Sequence, residues 1–356
     1  MGRFRIAGVV AALVGVAGAS ATLSGCATGG GKHATQAGQA GHQRNKVANE
    51  AALRKSEMAA AAQVKANELG QIPVIMYHRI VQNPPPGDDR SPKDFRDELE
   101  RLAAEDYVPI TAAEYVTGKI DIPAGKHPVV LTFDDSSPAQ LTLDGMGNPA
   151  PDCAIGILMD VAKKHPGFRP VATMYVIKDL FGKARPEEQI QVLQWLKDHN
   201  FDIGNHTRDH LNLLGKPKDE VEKQIAAGQT LITSLIKTPP VTLALPYGNQ
   251  PHEKKWALQG ASGGVRYDYK GVFLAGYTPA PSPFTKDFDP LSIPRIRSKE
   301  NKVGDCKKFC SMAWLDWLKA NPTDRYTSDG NAKTVAFPKF KAAFVAPAFK
   351  TSVLPY

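Results

Sequence analysis

The chain has 356 residues, of which 42% are hydrophobic and 22% charged. That is enough to bury a large core and too apolar for a disordered protein. Its formal net charge is +8, yet no stripe of Lys and Arg interleaved with aromatic residues runs along it, which argues against a nucleic-acid partner.

In chain order, Arg3 and Arg5 precede an apolar run from Ile6 to Val16, then small residues leading to "LSGC", Leu23 to Cys26. Residues 1–25 therefore read as a secretory signal, with an apolar run too short for a membrane span. A plain signal cut near "ASA" or "CAT" is the alternative. The "LSGC" box resembles the bacterial lipoprotein processing site, which implies lipidation of Cys26 and an extracytoplasmic protein held at the outer face of the bacterial cell membrane. An exported basic protein is expected to meet an anionic envelope polymer. Residues 26–70 read as a tether: Gly, Ala, Gln and Lys without apolar periodicity over 27–48 predict a flexible linker. The Ala-rich stretch from Ala48 to Leu69 predicts an exposed helix.

The main domain is expected over 71–356, with a core to about residue 320 and an extension, 321–356, that adds a strand or two to the sheet edge. "PVIM" predicts a strand ending at His78. "SPKDFRDELERLAA" predicts a helix capped by Ser91, opened by Pro92, with Phe95, Leu99 and Leu102 on one face. Strand and helix alternate again through "HPVVLTF", "AIGILMDVAKKH", "VATMYVI" and "PEEQIQVLQWLKDHNFDIGNH". This alternation predicts a parallel α/β sheet or barrel, whose working groups lie beyond the carboxyl ends of strands. Cys153, Cys306 and Cys310 are expected to supply one disulfide, with the pairing open between Cys306–Cys310 and a bridge to Cys153. "GASGGVRYDYKG" lacks the framing of a phosphate loop and reads as a surface loop. Trp195, Trp314 and Trp317 fall at helical apolar positions and read as core.

The chemistry gathers at strand ends. Asp134 and Asp135 are adjacent carboxylates that repel unless a cation or proton separates them. His206 and His210, four apart, face one side if they lie on a helical turn. Two imidazoles and one carboxylate make a three-ligand set that leaves a metal position open for water, as a catalytic site requires. The other carboxylate is then free to act as base.

These residues resemble the polysaccharide deacetylases of the NodB-homology type, carbohydrate esterase family four. The resemblance rests on "TFDD" (Thr132–Asp135), "HTRDH" (His206–His210) and "LPYG" (Leu245–Gly248) and covers roughly residues 71–320. It implies a distorted (β/α) barrel of the NodB-homology type. It also implies a zinc-dependent hydrolase acting on carbon–nitrogen bonds of an acetylated polysaccharide, with Asp134 as base, Asp135, His206 and His210 as metal ligands, and the Tyr247 backbone N–H at the oxyanion. Three departures accompany it. Ala244 stands where the third motif normally has the Arg that orients the base, and Arg295 in "IPRIR" is the candidate substitute. Ser136 replaces the usual Gly and begins an insertion, 137–152, expected to shape the cleft. No Leu-x-His motif supplies a general acid. "PVIMYH" resembles a circularly permuted subset in which an N-terminal His serves, which assigns the acid to His78. Two other outcomes are an O-acetyl esterase acting on xylan or peptidoglycan, and an inactive glycan-binding lipoprotein.

Overall fold

The computed structural model describes residues 34–300, 302 and 304–356; the signal segment and Cys26 lie outside the described residues. Helix α1 (Ala34–Gln63) starts well before Ala48, because Ala, Gln and Lys are good helix formers even where no apolar stripe guides them. It also stops short of Leu69. Residues 67–72 instead bridge to Thr327, Arg325 and Ala280, and Ala61 and Ala66 pack with Ala336 and Leu354. One compact unit runs from Ala52 to Tyr356. Among the described residues no helix is long and apolar enough to cross a membrane.

The body alternates strand and helix: β1 (Val74–Tyr77), α2 (Pro92–Ala104), β2 (Tyr107–Ile110), α3 (Ala112–Val116), β3 (His127–Asp134), α4 (Ala154–Lys164), β4 (Thr173–Val176), α5 (Pro186–Asp198), β5 (Asp202–Asn205), α6 (Lys218–Ile236) and β6 (Thr242–Ala244). Helix α2 begins where its sequence dictates: the Ser91 hydroxyl accepts the Asp94 N–H, Pro92 opens the first turn, and Phe95, Leu99 and Leu102 are buried. All eight residues of β3 are buried, the signature of a strand covered on both faces. After β6 come α7 (Lys255–Leu258), β7 (Gln259–Ser262), β8 (Val265–Asp268), β9 (Gly271–Phe273), β10 (Ile296–Arg297), α8 (Cys306–Phe309), α9 (Ser311–Ala320), β11 (Val335–Phe337) and β12 (Val353–Pro355).

Eight of these strands form one parallel sheet in the order β10-β1-β3-β4-β5-β6-β9, with β2 also on β3. The sheet curls round on itself. Ile293 bridges Phe273 of β9, and three residues later Ile296 and Arg297 pair with Ile75 and Met76 of β1. The short segment 293–297 is thus the seam of the distorted (β/α) barrel that the alternation predicts. Parallel pairing places the carboxyl ends of β1, β3, β5 and β6 on one face.

Three local expectations need correction, and the cysteine pairing left open by the sequence is resolved. The stretch read as a surface loop is the hairpin β7–β8, turning at Gly263 and Gly264, both at positive φ as a tight primed turn requires. The extension does not join the barrel: β11 and β12 pair only with each other. Trp317 is exposed and Trp314 half-buried rather than core. The disulfide is Cys306–Cys310, and Cys153 is a buried free thiol whose sulfur caps α4 by accepting the Gly156 N–H.

One buried carboxylate adds to the apolar contacts that fasten the extension. Glu68 accepts from the Ala336 N–H at 2.8 Å and the Tyr326 hydroxyl at 3.1 Å. Burial, reinforced by the charge of Asp329, pushes its carboxyl up to about 8, and its donors offset only part of that. The folded state thus holds the proton that the unfolded chain releases above its ordinary value of 4.5. This contribution to stability is complete below pH ~4.5 and is lost as pH rises through ~8. Thermal unfolding from pH 5 to 8.5 is expected to show a fall in Tm that Glu68→Gln largely abolishes; parallel pH profiles for the two proteins would contradict the assignment.

Candidate active site and metal centre

The last residue of β3, Asp134, is buried together with Arg295 from the seam. The Arg295 guanidinium donates from Nη1 to Oδ1 and from Nη2 to Oδ2, both at 2.7 Å. Its Nε donates to the Leu274 carbonyl at 2.7 Å and Nη1 also reaches the Thr132 hydroxyl at 3.2 Å. A planar fork matched to both carboxylate oxygens gives a fixed orientation as well as charge compensation. Burial alone would raise the Asp134 carboxyl, but the Arg295 charge outweighs it and, with His206, holds the group well below the usual carboxylate range. Ala244 carries no charge to do this. Its own backbone has another use.

That use is to orient His206, the residue just after β5. The Ala244 carbonyl lies 2.8 Å from His206 Nδ1, so the proton sits on Nδ1 and the Nε2 lone pair faces the site. Nε2 is 3.6 Å from Asp135 Oδ1 and 3.7 Å from Asp134 Oδ2. His210 Nε2 is 3.4 Å from the same Asp135 Oδ1. The three ligand atoms of Asp135, His206 and His210 lie within 4.8 Å of one another. Asp135 Oδ1 is buried without a hydrogen-bond partner, a state costly for a carboxylate oxygen unless something positive meets it. The donor set, the orphaned oxygen and the aimed lone pair all fit a divalent cation.

The two histidines do not share a helical turn. Residues 206–210 are irregular, with Thr207 at φ 62° and His210 at φ 52°, and this double reversal brings the second imidazole back beside the first, ring centroids 4.9 Å apart. Asp135 at φ 75° and Ser136 at φ 46° make a similar bend after β3. Such φ values favour Gly; here the Ser136 side chain compensates, its hydroxyl accepting from the Ile177 N–H and donating to the Asp179 carbonyl, both at 3.3 Å.

The remaining candidates stand on the same face. His78 follows β1, with its Nδ1 buried and unpartnered. Gln140, which the sequence reading missed, donates from one amide nitrogen to both the His78 and Asp134 carbonyls and so ties the ends of β1 and β3 together. Its only sequence signal is a polar residue inside the insertion. Tyr247, at φ 59° in the Pro246–Gly248 turn, sets its ring 4.8 Å from that of His210. Farther along the insertion, Trp195 Nε1 of α5 donates to the Gly147 carbonyl at 2.8 Å.

Residues 121–263 match the family model described as polysaccharide deacetylase. The match takes in Asp134, Asp135, His206, His210 and Tyr247, while His78 and Arg295 fall outside it. The Bacillus subtilis (strain 168) polysaccharide deacetylase homologue YxkH is 23% identical over 259 residues, 71% of this chain and 80% of that protein. Among solved structures, BA0330 of Bacillus anthracis is similar with a TM-score of 0.48 at 20% identity, covering 64% of each chain. The Streptococcus pyogenes deacetylase PplD, solved with acetate, gives 0.49 at 20% identity over 70% of this chain and 97% of its own. Residues 121–263 are thus similar to a polysaccharide deacetylase domain of the NodB type.

The Asp134–Arg295 pair generates a stability prediction. Arg295→Met should cost about 3–5 kcal/mol, because it strands a buried carboxylate. Adding Asp134→Asn should recover most of that cost. Urea unfolding of the two single variants and the double variant measures the coupling; additive losses would show that the pair is not mutually compensated.

Proposed function

We propose that this protein removes N-acetyl groups from an amino-sugar polysaccharide of the cell envelope or extracellular matrix, using a divalent cation, zinc, held by Asp135, His206 and His210. The observation that carries this reading is the convergence of those three ligand atoms, one of them an orphaned carboxylate oxygen, beside a carboxylate clamped by Arg295. A cation there would supply Lewis-acid polarisation of the acetyl carbonyl and would acidify a water molecule toward neutral pH.

Asp134 stays ionised through the neutral range, because Arg295 opposes its protonation. The same contact makes it a weak base, able to take a proton only from an acidified water, so the ligand set and the base depend on one another. Arg295 occupies both carboxylate oxygens in the plane and leaves the Asp134 edge toward His206 to accept the proton. Attack of the water oxygen on the acetyl carbon gives a tetrahedral oxyanion, for which the Tyr247 backbone N–H is the assigned donor. The carbon–nitrogen bond then breaks as the sugar nitrogen takes a proton from His78, giving acetate and a free amine. His is suited to this near neutral pH, and the unpartnered Nδ1 of His78 leaves a ring nitrogen free of structural duty.

We further assign Cys26 in "LSGC" as the lipidated residue of a lipoprotein, which locates the domain outside the cytoplasmic membrane with an insoluble or anchored glycan within reach. Cys26→Ser should release the protein from the membrane fraction, and continued membrane association would mean that the apolar segment is itself the anchor.

The activity is tested by acetate release from chitin, peptidoglycan, poly-N-acetylglucosamine and acetylated xylan oligomers with added zinc. Release from an N-acetylated glycan is expected; release from O-acetyl sugars alone would select an esterase, and none from any would sink the enzyme reading. His206→Ala and His210→Ala should each remove stoichiometric zinc together with activity. His78→Ala should keep its zinc and lose about 10²-fold in kcat on an N-acetyl substrate, with a smaller loss on an activated acetyl ester whose leaving group needs no proton. Equal losses on both substrates would reject His78 as the acid.

A further inference from the structure

The two histidines of the candidate metal centre are held in different ways. His206 follows directly from β5, and its ring is fixed by the Ala244 carbonyl. Among the described residues no hydrogen bond orients the His210 ring, which lies 3.4 Å from Asp135 Oδ1 and against the rings of His206 and Tyr247. The direction of its Nε2 therefore depends on the backbone of residues 207–210, which holds Thr207 and His210 in the left-handed region. Non-glycine residues persist there only where their surroundings over-determine them.

Those surroundings come from α6 and from the turn after β4. Gln224 of α6 grips the middle of the loop three times. Its carbonyl accepts the Arg208 N–H at 3.2 Å, its side-chain Oε1 accepts the Asp209 N–H at 3.2 Å, and its Nε2 donates to Asp209 Oδ2 at 2.9 Å. One turn further on, Gly228 lets α6 approach so closely that a Cβ there would sit 3.0 Å from the Thr207 carbonyl carbon. From the other side, the Lys178 N–H donates to the Arg208 carbonyl at 2.9 Å. Asp209 Oδ1 meets Lys178 Nζ at 3.1 Å and Arg208 Nη1 at 2.9 Å. These ionic contacts are open to solvent and contribute little. The Gln224 amide is half-buried and engages the backbone and the side chain of Asp209 together, so it is the contact that sets geometry.

We propose that Asp209 and Gln224 are positioning residues for the metal centre: their paired contacts lock the 206–210 loop and so aim His210 at the point it shares with Asp135 and His206. This rests on the reading of those three residues as a cation site. Asp209 acts through the backbone of the residue that follows it, and Gln224 acts through Asp209.

The test is zinc affinity, measured by competition with a chromophoric chelator on metal-stripped full-length protein, with thermal unfolding of the same stripped samples alongside. Asp209→Ala and Gln224→Leu are each expected to weaken zinc binding about tenfold, and the double variant should be no weaker than either single one, because the two residues act as a unit. Asp209→Asn keeps an oxygen that can accept from Gln224 Nε2, and Lys178→Met removes an exposed ion pair while leaving the amide pair. Both should stay within about twofold of wild type. The midpoints of the stripped proteins should remain close together. Unchanged affinity in Asp209→Ala and Gln224→Leu, equal losses in all four single variants, or losses matched by a drop in the stripped midpoint would overturn the positioning role while wild type still bound one zinc. Wild type that bound no zinc would instead overturn the metal-centre reading, and the positioning role with it.

Discussion

The site depends on burying one carboxylate against one guanidinium. Asp134 ends a strand with no solvent-facing residue, where an ionised carboxylate left alone would be strongly destabilising or would take up a proton. Arg295 prevents both. Its fork spans both Asp134 oxygens, and two further donors go to Thr132 and the Leu274 carbonyl, so each charge meets the other. Arg295 also belongs to the seam 293–297 that joins β9 to β1. Closing the barrel and holding Asp134 ionised therefore depend on the same short segment.

Around that pair the loops are bent against their preferences. Half of the non-glycine residues at positive φ among those described, Asp135, Ser136, Thr207, His210 and Tyr247, belong to the three loops that carry the site. Each costs on the order of 1 kcal/mol. The cost is tolerated because the bends turn three donor atoms from two different loops toward one point, a geometry that neither an extended strand end nor a helical turn provides. The hydrogen bond of His206 to the Ala244 carbonyl then fixes which nitrogen faces that point.

The parts of this arrangement that were legible in the sequence are those encoded locally. Ser91 and Pro92 announce α2, the apolar run 128–133 announces a buried strand, and "TFDD" and "HTRDH" sit where those strands end. Non-local features were harder. Arg295 was singled out only because a motif position was empty, and its contact to Asp134 spans 161 residues of sequence, a pairing no spacing rule reaches. The His206–His210 interval of four suggested a helical turn, and backbone reversals at Thr207 and His210 produced the same convergence by another route. Trp314 and Trp317 have the periodicity of core residues, yet α9 turns Trp317 outward, since periodicity gives a face and not what covers it. The strands of the extension were expected at the barrel edge; the edge is already occupied by the seam, which leaves β11 and β12 to pair with each other.

The central claim is that Asp135, His206 and His210 hold a catalytic cation beside Asp134. The most direct measurement is a zinc titration of chelator-stripped protein, following acetate release from an N-acetylated glucosamine oligomer. The account predicts negligible release from the stripped protein and a rise that saturates at one equivalent of zinc. Full activity after stripping, or recovery that needs several equivalents and is unchanged in His210→Ala, would contradict it.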